Sequence, residues 1–295
     1  MISSTHGVSP TSPEVSVIIP VFKDWDRLRL CLAALQRQSL RAEQFEIIIA
    51  CNEEHLKRPA QPLPSNARVI HEPTPGSYVA RNSAVVVASG KNLAFTDSDC
   101  IPDPDWLLNG LLALNASPGS RITGPVEIFR EEGGGSYAYL FSSYADIQQR
   151  VYSRSGICAT ANLIVSRTTF ERVGYFDAAF SGGDFRWNQR ATRLDVPLIF
   201  VEKSIVRHPA RRSVSDILRK RRRIAGSQAK HMDTSLAWYL FARIIPPRPR
   251  ALPFTVGEVG IRHYCILYGI SWLSSLSEAF EVILIRLGAK KPSRR

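Results

Sequence analysis

The chain has 295 residues, 44% hydrophobic and 22% charged, with a formal net charge of +12. That length and balance suffice for a sizeable core and exclude a disordered chain, while the charge predicts an anionic partner: nucleic acid, an acidic membrane surface or phosphorylated substrates. Cys31, Cys51, Cys100, Cys158 and Cys265 are scattered without a CxxC pair, which excludes a disulfide framework or a thiolate zinc site and fits a reducing cytoplasm.

Residues 1–14 have no basic or apolar leader region and read as a disordered lead-in rather than a secretory signal. "VSVIIPV" from Val15 is a short continuous apolar run, as in a strand buried on both faces. "DWDRLRLCLAALQRQS" repeats Leu28, Cys31, Leu32 and Leu35 at helical spacing, with Asp24 or Asp26 as cap. "FEIIIAC" and "RVIHE" read as the second and third strands. "SYVARNSAVVVAS" reads as a helix stopped by Gly90, and "NLAFTD" as the fourth strand. Strands alternating with helices predict a mainly parallel, doubly wound α/β sheet. In such sheets ligands bind at the carboxyl ends of the strands, where Pro20-Val21-Phe22, Cys51-Asn52 and Asp97-Ser98-Asp99 all fall.

Beyond Asp103 the pattern is less regular. "DPDWLLNGLLALNA" predicts a helix, "RITGPVEIF" a strand, "EEGGGS" a mobile loop and "YAYLFSSYADIQQRVYS" one amphipathic helix. "ATANLIVSR" predicts a strand, "TTFERVG" a helix and "PLIFVEKSIVRH" a strand. "RRSVSDILRKRRR" places seven basic residues among thirteen. In the tail, "LAWYLFARII", "YCILYGISWLSSLS" and "EVILIRLG" are apolar but too short to span a bilayer. They suit helices in a membrane interface, or core helices packed on the rest of the chain, or a dimer interface.

The stretches "VSVIIPVFKDWDRL", "PGSYVARNSAVVVASG", "LAFTDSDCIPDPDWL", "ANLIVSRTTFERVGYFD" and "FSGGDFRWNQRA" stand in the order found in family 2 glycosyltransferases with the GT-A fold. Roughly residues 15–225 resemble that family. The resemblance implies a mixed, mainly parallel sheet flanked by helices, with a basic and apolar helical C-terminal extension. It divides the chain into a nucleotide-sugar-binding half over 15–102, an acceptor-binding half over 103–210 and the extension over 211–295. It further implies metal-dependent, inverting transfer from a nucleotide-diphosphate sugar, with UDP as first choice, to a hydroxyl of a carbohydrate or lipid-linked acceptor. Such chemistry serves cell-surface polysaccharide or glycolipid biosynthesis, in the cytoplasm or peripherally on the inner face of the membrane. No "QxxRW" stretch is present, which points to addition of a single sugar.

By the same resemblance Asp99 is the direct ligand of a divalent cation, Mn²⁺ or Mg²⁺. Asp97 supports it through the ribose or the metal, and His208 stands where a third metal or diphosphate ligand is often found. A departing nucleoside diphosphate gathers negative charge, which a hard cation held by carboxylates neutralises. Asp184 is the candidate general base; Gly183 stands where many relatives have an acid. Donor contacts fall to Pro20, Val21, Phe22, Asp24, Asn52, Arg81, Asp97, Ser98 and Asp99. Cys51 stands where the family usually has an acid that contacts the nucleobase; a thiol does not accept hydrogen bonds as a carboxylate does, so that contact would pass to Asn52 or Glu53, or to the Pro20–Phe22 backbone and Asp24. Arg211, Arg212, Lys220 and Arg223 are candidates for a phosphate-facing lid; the same basic block would equally suit anionic lipid headgroups. Other readings are a non-catalytic nucleotide-sugar-binding scaffold, a nucleotidyltransferase and a nucleic-acid-binding protein. The second lacks its glycine-rich loop and lysine after the first strand, and the third lacks a nucleic-acid-binding fold and aromatic interleaving in the basic block.

Overall fold

The structure is a computed structural model that describes residues 12–57, 62–229 and 235–292. The expected lead-in lies outside the described residues up to position 11; Glu14 already donates its N–H to the Gln44 carbonyl at 2.7 Å. β1 (Val15–Val21) and β2 (Phe45–Cys51) flank α1 (Trp25–Leu35) in sequence and are buried at every position. β3 (Ala67–His71), α2 (Ser77–Val87) and β4 (Asn92–Phe95) follow as the sequence predicts.

Gly90 ends this unit for a different reason from the expected helix stop. It does not adopt a left-handed conformation; instead, a Cβ there would lie 2.5 Å from the Ser16 nitrogen and 2.7 Å from the Val15 carbonyl carbon. Its N–H donates to Ser16 Oγ at 2.8 Å, and Ser16 Oγ donates to Glu46 at 2.7 Å. Gly90→Ala is therefore expected to destabilise the fold by about 1–3 kcal/mol, since strand backbone cannot yield to an overpacked atom. Chemical denaturation checks this, and a loss below about 0.5 kcal/mol would contradict it.

In the second half, β5 (Ile101–Pro102) and α3 (Trp106–Ala116) precede a strand run that the structure divides. "RITGPVEIF" becomes β6 (Arg121–Thr123) and β7 (Val126–Phe129), broken at Gly124-Pro125. The predicted single helix over 137–153 is likewise two, α4 (Ser136–Ala145) and α5 (Gln149–Ser153). Asp146 is the residue at which the first of them ends, and its carboxylate is paired with Lys220 at 2.6 Å. β8 (Leu163–Ser166) follows a short 3₁₀ turn, and then come α6 (Arg167–Val173) and α7 (Gly183–Arg193). "PLIFVEKSIVRH" also divides, into β9 (Leu198–Phe200) and β10 (Val206–Pro209).

The two divided runs travel together. β6 pairs parallel with β9 in a seven-stranded sheet of order β3-β2-β1-β4-β8-β6-β9. Both then leave it, and β7 pairs parallel with β10 in a three-stranded sheet of order β5-β10-β7. They cross where a Cβ on Gly124 would lie 2.1 Å from the Ser204 carbonyl oxygen, so only glycine fits. The large sheet is parallel except at β8, which runs antiparallel to both its neighbours. Alternate residues of β1 feed two cores, Val17 and Ile19 on one face and Ile18 on the other.

The C-terminal extension is helical. α8 (Val214–Gln228) carries the basic block, and α9 (Leu236–Ile244), α10 (Val256–Val259) and α11 (Ile261–Arg286) follow. Two apolar segments read as separate are thus one 26-residue helix. The acids there meet arginines of α8 and α9: Glu281, 2% exposed, pairs with Arg222 at 3.1 Å, and Glu278 with Arg243 at 2.9 Å. α11 buries Leu267, Ile270, Val282 and Ile285, which matches the expectation of a packed core helix. Among the described residues no helix is long and apolar enough to cross a membrane.

Candidate active site

β1, β2 and β4 are parallel, so their carboxyl ends share one edge; β8, being antiparallel, brings its leading residues to the same edge. A cleft of about 620 Å³ opens there. Its walls include Pro20, Phe22 and Asp24 from the tip of β1, Tyr78 and Arg81 from α2, Asp97, Ser98 and Asp99 from the tip of β4, and Thr160 ahead of β8. Asp184, His208, Arg211, Lys220 and Arg223 complete it.

The acids lie on a solvated turn that faces partners on two sides. Asp97 is paired with Arg81, which is 3% exposed. Asp99 Oδ1 lies 3.7 Å from His208 Nε2. This approach depends on the small sheet, because β10 pairs antiparallel with β5, the strand that immediately follows the acid turn. His208 Nδ1 is 2.8 Å from the Pro209 carbonyl, which only accepts, so Nδ1 is the donor in that contact and Nε2 is the nitrogen turned to the Asp99 carboxylate. Two electron-pair donors facing across that gap suit a shared hard cation. Cys100 Sγ joins the ligand atoms of Asp97 and Asp99 within 4.8 Å, but burial pushes its thiol well above the usual range and keeps it protonated. The donor set that fits a divalent ion is therefore Asp99 with His208, and Asp97 beside them. Asp24 adds a third carboxylate, its pKa raised first by burial and also by the Asp99 charge.

Asp184 stands in the first turn of α7, half-buried, behind Gly182 in the left-handed conformation. Its Oδ1 accepts the Phe185 N–H at 2.9 Å, and its charge adds to burial in pushing the nearby Tyr78 phenol above its usual range. The role of helix cap falls instead to Gly182, which has no side chain to offer.

α8 presents the basic wall. Lys220 and Arg211 flank Asp146, at 2.6 and 3.9 Å. Burial holds Lys220 below the usual lysine range even with that carboxylate beside it. Arg223 Nε is buried without a hydrogen-bond partner among the described residues, and burial together with the nearby Arg211 charge depresses its pKa. A side bay of about 340 Å³ continues from Asp99 between Arg27, Arg212 and Arg219. Arg27 holds Glu131 through two bonds of 2.8 and 2.7 Å, and Arg212 adds a third at 2.8 Å. Hydrogen bonding from Arg27, more than Arg212, pulls Glu131 down to about 2.

Three sequence candidates sit elsewhere. Val21 is fully buried in the core. Asn52 spends its amide on the turn before α2, donating to the Glu72 and Thr74 carbonyls at 2.7 Å and accepting the Gly76 N–H at 2.9 Å. It lines a neighbouring hollow of about 560 Å³ with Phe22, Lys23, Glu53 and His55. Arg212 lines the side bay rather than the main cleft. Sequence reading missed Arg27, Tyr78 and Asp146, all in the cleft wall. Arg27 and Asp146 sit within helical patterns that give no sign of a site; Tyr78 carries one, lying one helical turn from Arg81.

The family model described as Glycosyl transferase family 2 matches residues 16–177. The chain belongs to that family. It is 32% identical over 229 residues to the glycosyltransferase AglE of Haloferax volcanii, covering 75% of each chain. Among solved structures it matches the mannosyltransferase PcManGT of Pyrobaculum calidifontis, solved with GDP-Man and Mn²⁺, at TM-score 0.52 and 18% identity, over 96% of this chain and 77% of that one. It also matches residues 1–349 of S. aureus TarS, solved with UDP-GlcNAc, at TM-score 0.50 and 13% identity, over 93% and 92%. Against a longer TarS structure, at TM-score 0.50 and 16% identity, it covers 76% of its own length but spans only 41% of that chain. This glycosyltransferase thus shares the GT-A architecture of its family, a mostly parallel sheet between helices.

Proposed function

We propose that this family 2 glycosyltransferase transfers one sugar, with inversion, from a nucleotide-diphosphate donor, a UDP-sugar first, to an acceptor hydroxyl. The observation that carries the reading is that Asp99 with His208 and the half-buried Asp184 line one cleft. The binding of GDP-Man with Mn²⁺ by PcManGT and of UDP-GlcNAc by TarS supports it. Asp99 and His208 would hold a divalent ion, Mn²⁺ or Mg²⁺, with Asp97 in support. When bound, that ion supplies positive charge to the leaving diphosphate. Pro20, Phe22 and Asp24 contact the donor from the tip of β1, and the hollow beside Phe22 suits its base. Arg81 and Ser98 face the donor from the same wall.

Asp184 accepts the acceptor hydroxyl's proton as that oxygen attacks the anomeric carbon on the face opposite the departing diphosphate. An α-linked donor therefore gives a β-linked product. The proton NMR coupling of the product's anomeric hydrogen tests this; an α-product would exclude the single displacement.

Arg211, Lys220 and Arg223 close over the diphosphate, with Arg212 at the edge of the lid. Arg223→Ala is expected to raise the KM for donor about tenfold or more, the value of one charge-assisted contact. An unchanged KM would remove Arg223 from the lid.

We further propose that the enzyme docks on the inner face of the membrane and acts on a carbohydrate or lipid-linked acceptor in cell-surface polysaccharide or glycolipid synthesis. α9 buries none of its residues, and Trp238 and Phe241 are 63% and 57% exposed. Residues 235–257 include Arg243, Arg248 and Arg250 and no acid, a composition suited to an anionic interface. The paired change Trp238→Ala and Phe241→Ala is expected to abolish co-sedimentation with vesicles of one-third phosphatidylglycerol; unchanged sedimentation would place the contact elsewhere.

A further inference from the structure

We propose that Tyr78 is the positioning residue for Asp184, and that Gly183 is glycine because the ring of Tyr78 occupies the space a side chain would need. The proposal rests on the reading of Asp184 as the base. Tyr78 stands in the first turn of α2 and is 7% exposed. A Cβ on Gly183 would lie 2.6, 2.7 and 2.8 Å from three carbons of its ring. Real contacts of that length do not occur, so the ring and a side chain at 183 exclude each other.

The ring is fixed from two other directions. The Arg81 guanidinium carbon lies 5.3 Å from its centroid, and the Phe176 ring 5.7 Å. Held in this way, the phenol has little freedom to swing, and it lies beside Asp184, whose charge adds to burial in raising the phenol's pKa. From there a phenol can donate to the carboxylate and fix its direction. The Phe185 N–H holds the same carboxylate at 2.9 Å. The backbone N–H and the phenol packed beside it thus limit its rotamer, while Asp184 remains in the cleft wall.

Arg81 connects this arrangement to the other end of the site. It stands one helical turn after Tyr78, covers that ring and pairs with Asp97. A single turn of α2 therefore braces both the acid turn and the proposed base. Nothing in the pairing needs Tyr78 to lose its proton: burial, and then the Asp184 charge, push the phenol well above its usual range.

Tyr78→Phe keeps the ring and removes the hydroxyl. Turnover is measured with Mn²⁺ and whichever of UDP-hexose or GDP-mannose stabilises the folded enzyme. We expect kcat to fall about 10- to 100-fold, the scale of a misplaced catalytic group. Donor KM should stay within about twofold and the melting temperature within about 2 °C, because the packing is retained. In an Asp184→Asn background the same change should cost nothing further, since there is no base left to position. A kcat within about twofold of the parent, a loss confined to KM, or a full additional loss in the Asp184→Asn background would each overturn the proposal. Gly183→Ala provides an independent arm: it displaces the ring from below and should lower kcat while donor still stabilises the fold, and parental kcat would count against the packing argument. An inactive Asp184→Asn with a fully active Tyr78→Phe would reject the positioning role alone. Near-normal turnover in Asp184→Asn would reject the base itself.

Discussion

Asp99→Ala is expected to lower sugar transfer by about 1,000-fold or more while the protein remains folded. Losing one electrostatic contact to developing charge costs about 10²–10³ in turnover, and loss of the ion removes more than one contact. The fold should not suffer. Asp24, from the tip of β1, faces the turn that carries Asp97 and Asp99, and the Asp99 charge already helps to raise the Asp24 pKa. Removing one of three like charges relieves repulsion. A melting temperature equal to or slightly above the parent's, with no detectable product, is the expected pair of results. Near-normal turnover would show that the ion, or its ligand, lies elsewhere.

The second large effect belongs to Asp184→Asn, which keeps the shape of the side chain and removes its basicity. General-base catalysis is worth about 10²–10⁴ in rate, and the loss should fall on kcat with donor affinity preserved. This distinguishes it from Asp99→Ala, which should also weaken donor binding because the diphosphate loses its counter-charge. If Asp184→Asn changed only KM, the carboxylate would be an acceptor-binding group and the proton would need another destination.

The parts of the fold that were legible in the sequence are those governed by local pattern. β1, β2 and β4 are short apolar runs whose ends are marked by the residues that follow, so Asp97 and Asp99 could be placed at a sheet edge directly. Asp184 stood out only through the resemblance of its stretch to family 2 glycosyltransferases, and it lines the same cleft. What escaped depends on contacts distant in sequence. The run from 121 to 129 and that from 197 to 208 read as single strands although Gly124-Pro125 marks a break in the first; nothing local shows that both leave the sheet together, at Gly124 and Ser204. That departure carries His208 to Asp99. The break at Asp146 was hidden because residues 137–153 keep a helical pattern, while the partner of the Asp146 carboxylate, the ammonium of Lys220, lies 74 positions away. Gly90 was read as a helix stop, when the decisive fact is how closely Ser16 approaches. Tyr78 looked like an ordinary helix aromatic until Gly183 was seen beneath it.

The most direct test of the account is donor binding with and without the cation. A ligand that binds only the folded state raises its stability by mass action, by about 2.7 kcal/mol at a hundredfold excess over Kd. UDP-sugars and GDP-mannose, each with and without Mn²⁺, would be applied to the parent enzyme and to Asp99→Ala, and thermal unfolding recorded. The account predicts that at least one nucleotide sugar raises the melting temperature of the parent only when Mn²⁺ is present, and that Asp99→Ala abolishes the rise. A nucleotide sugar that stabilises both proteins equally without Mn²⁺, or no stabilisation by any of them, would contradict it.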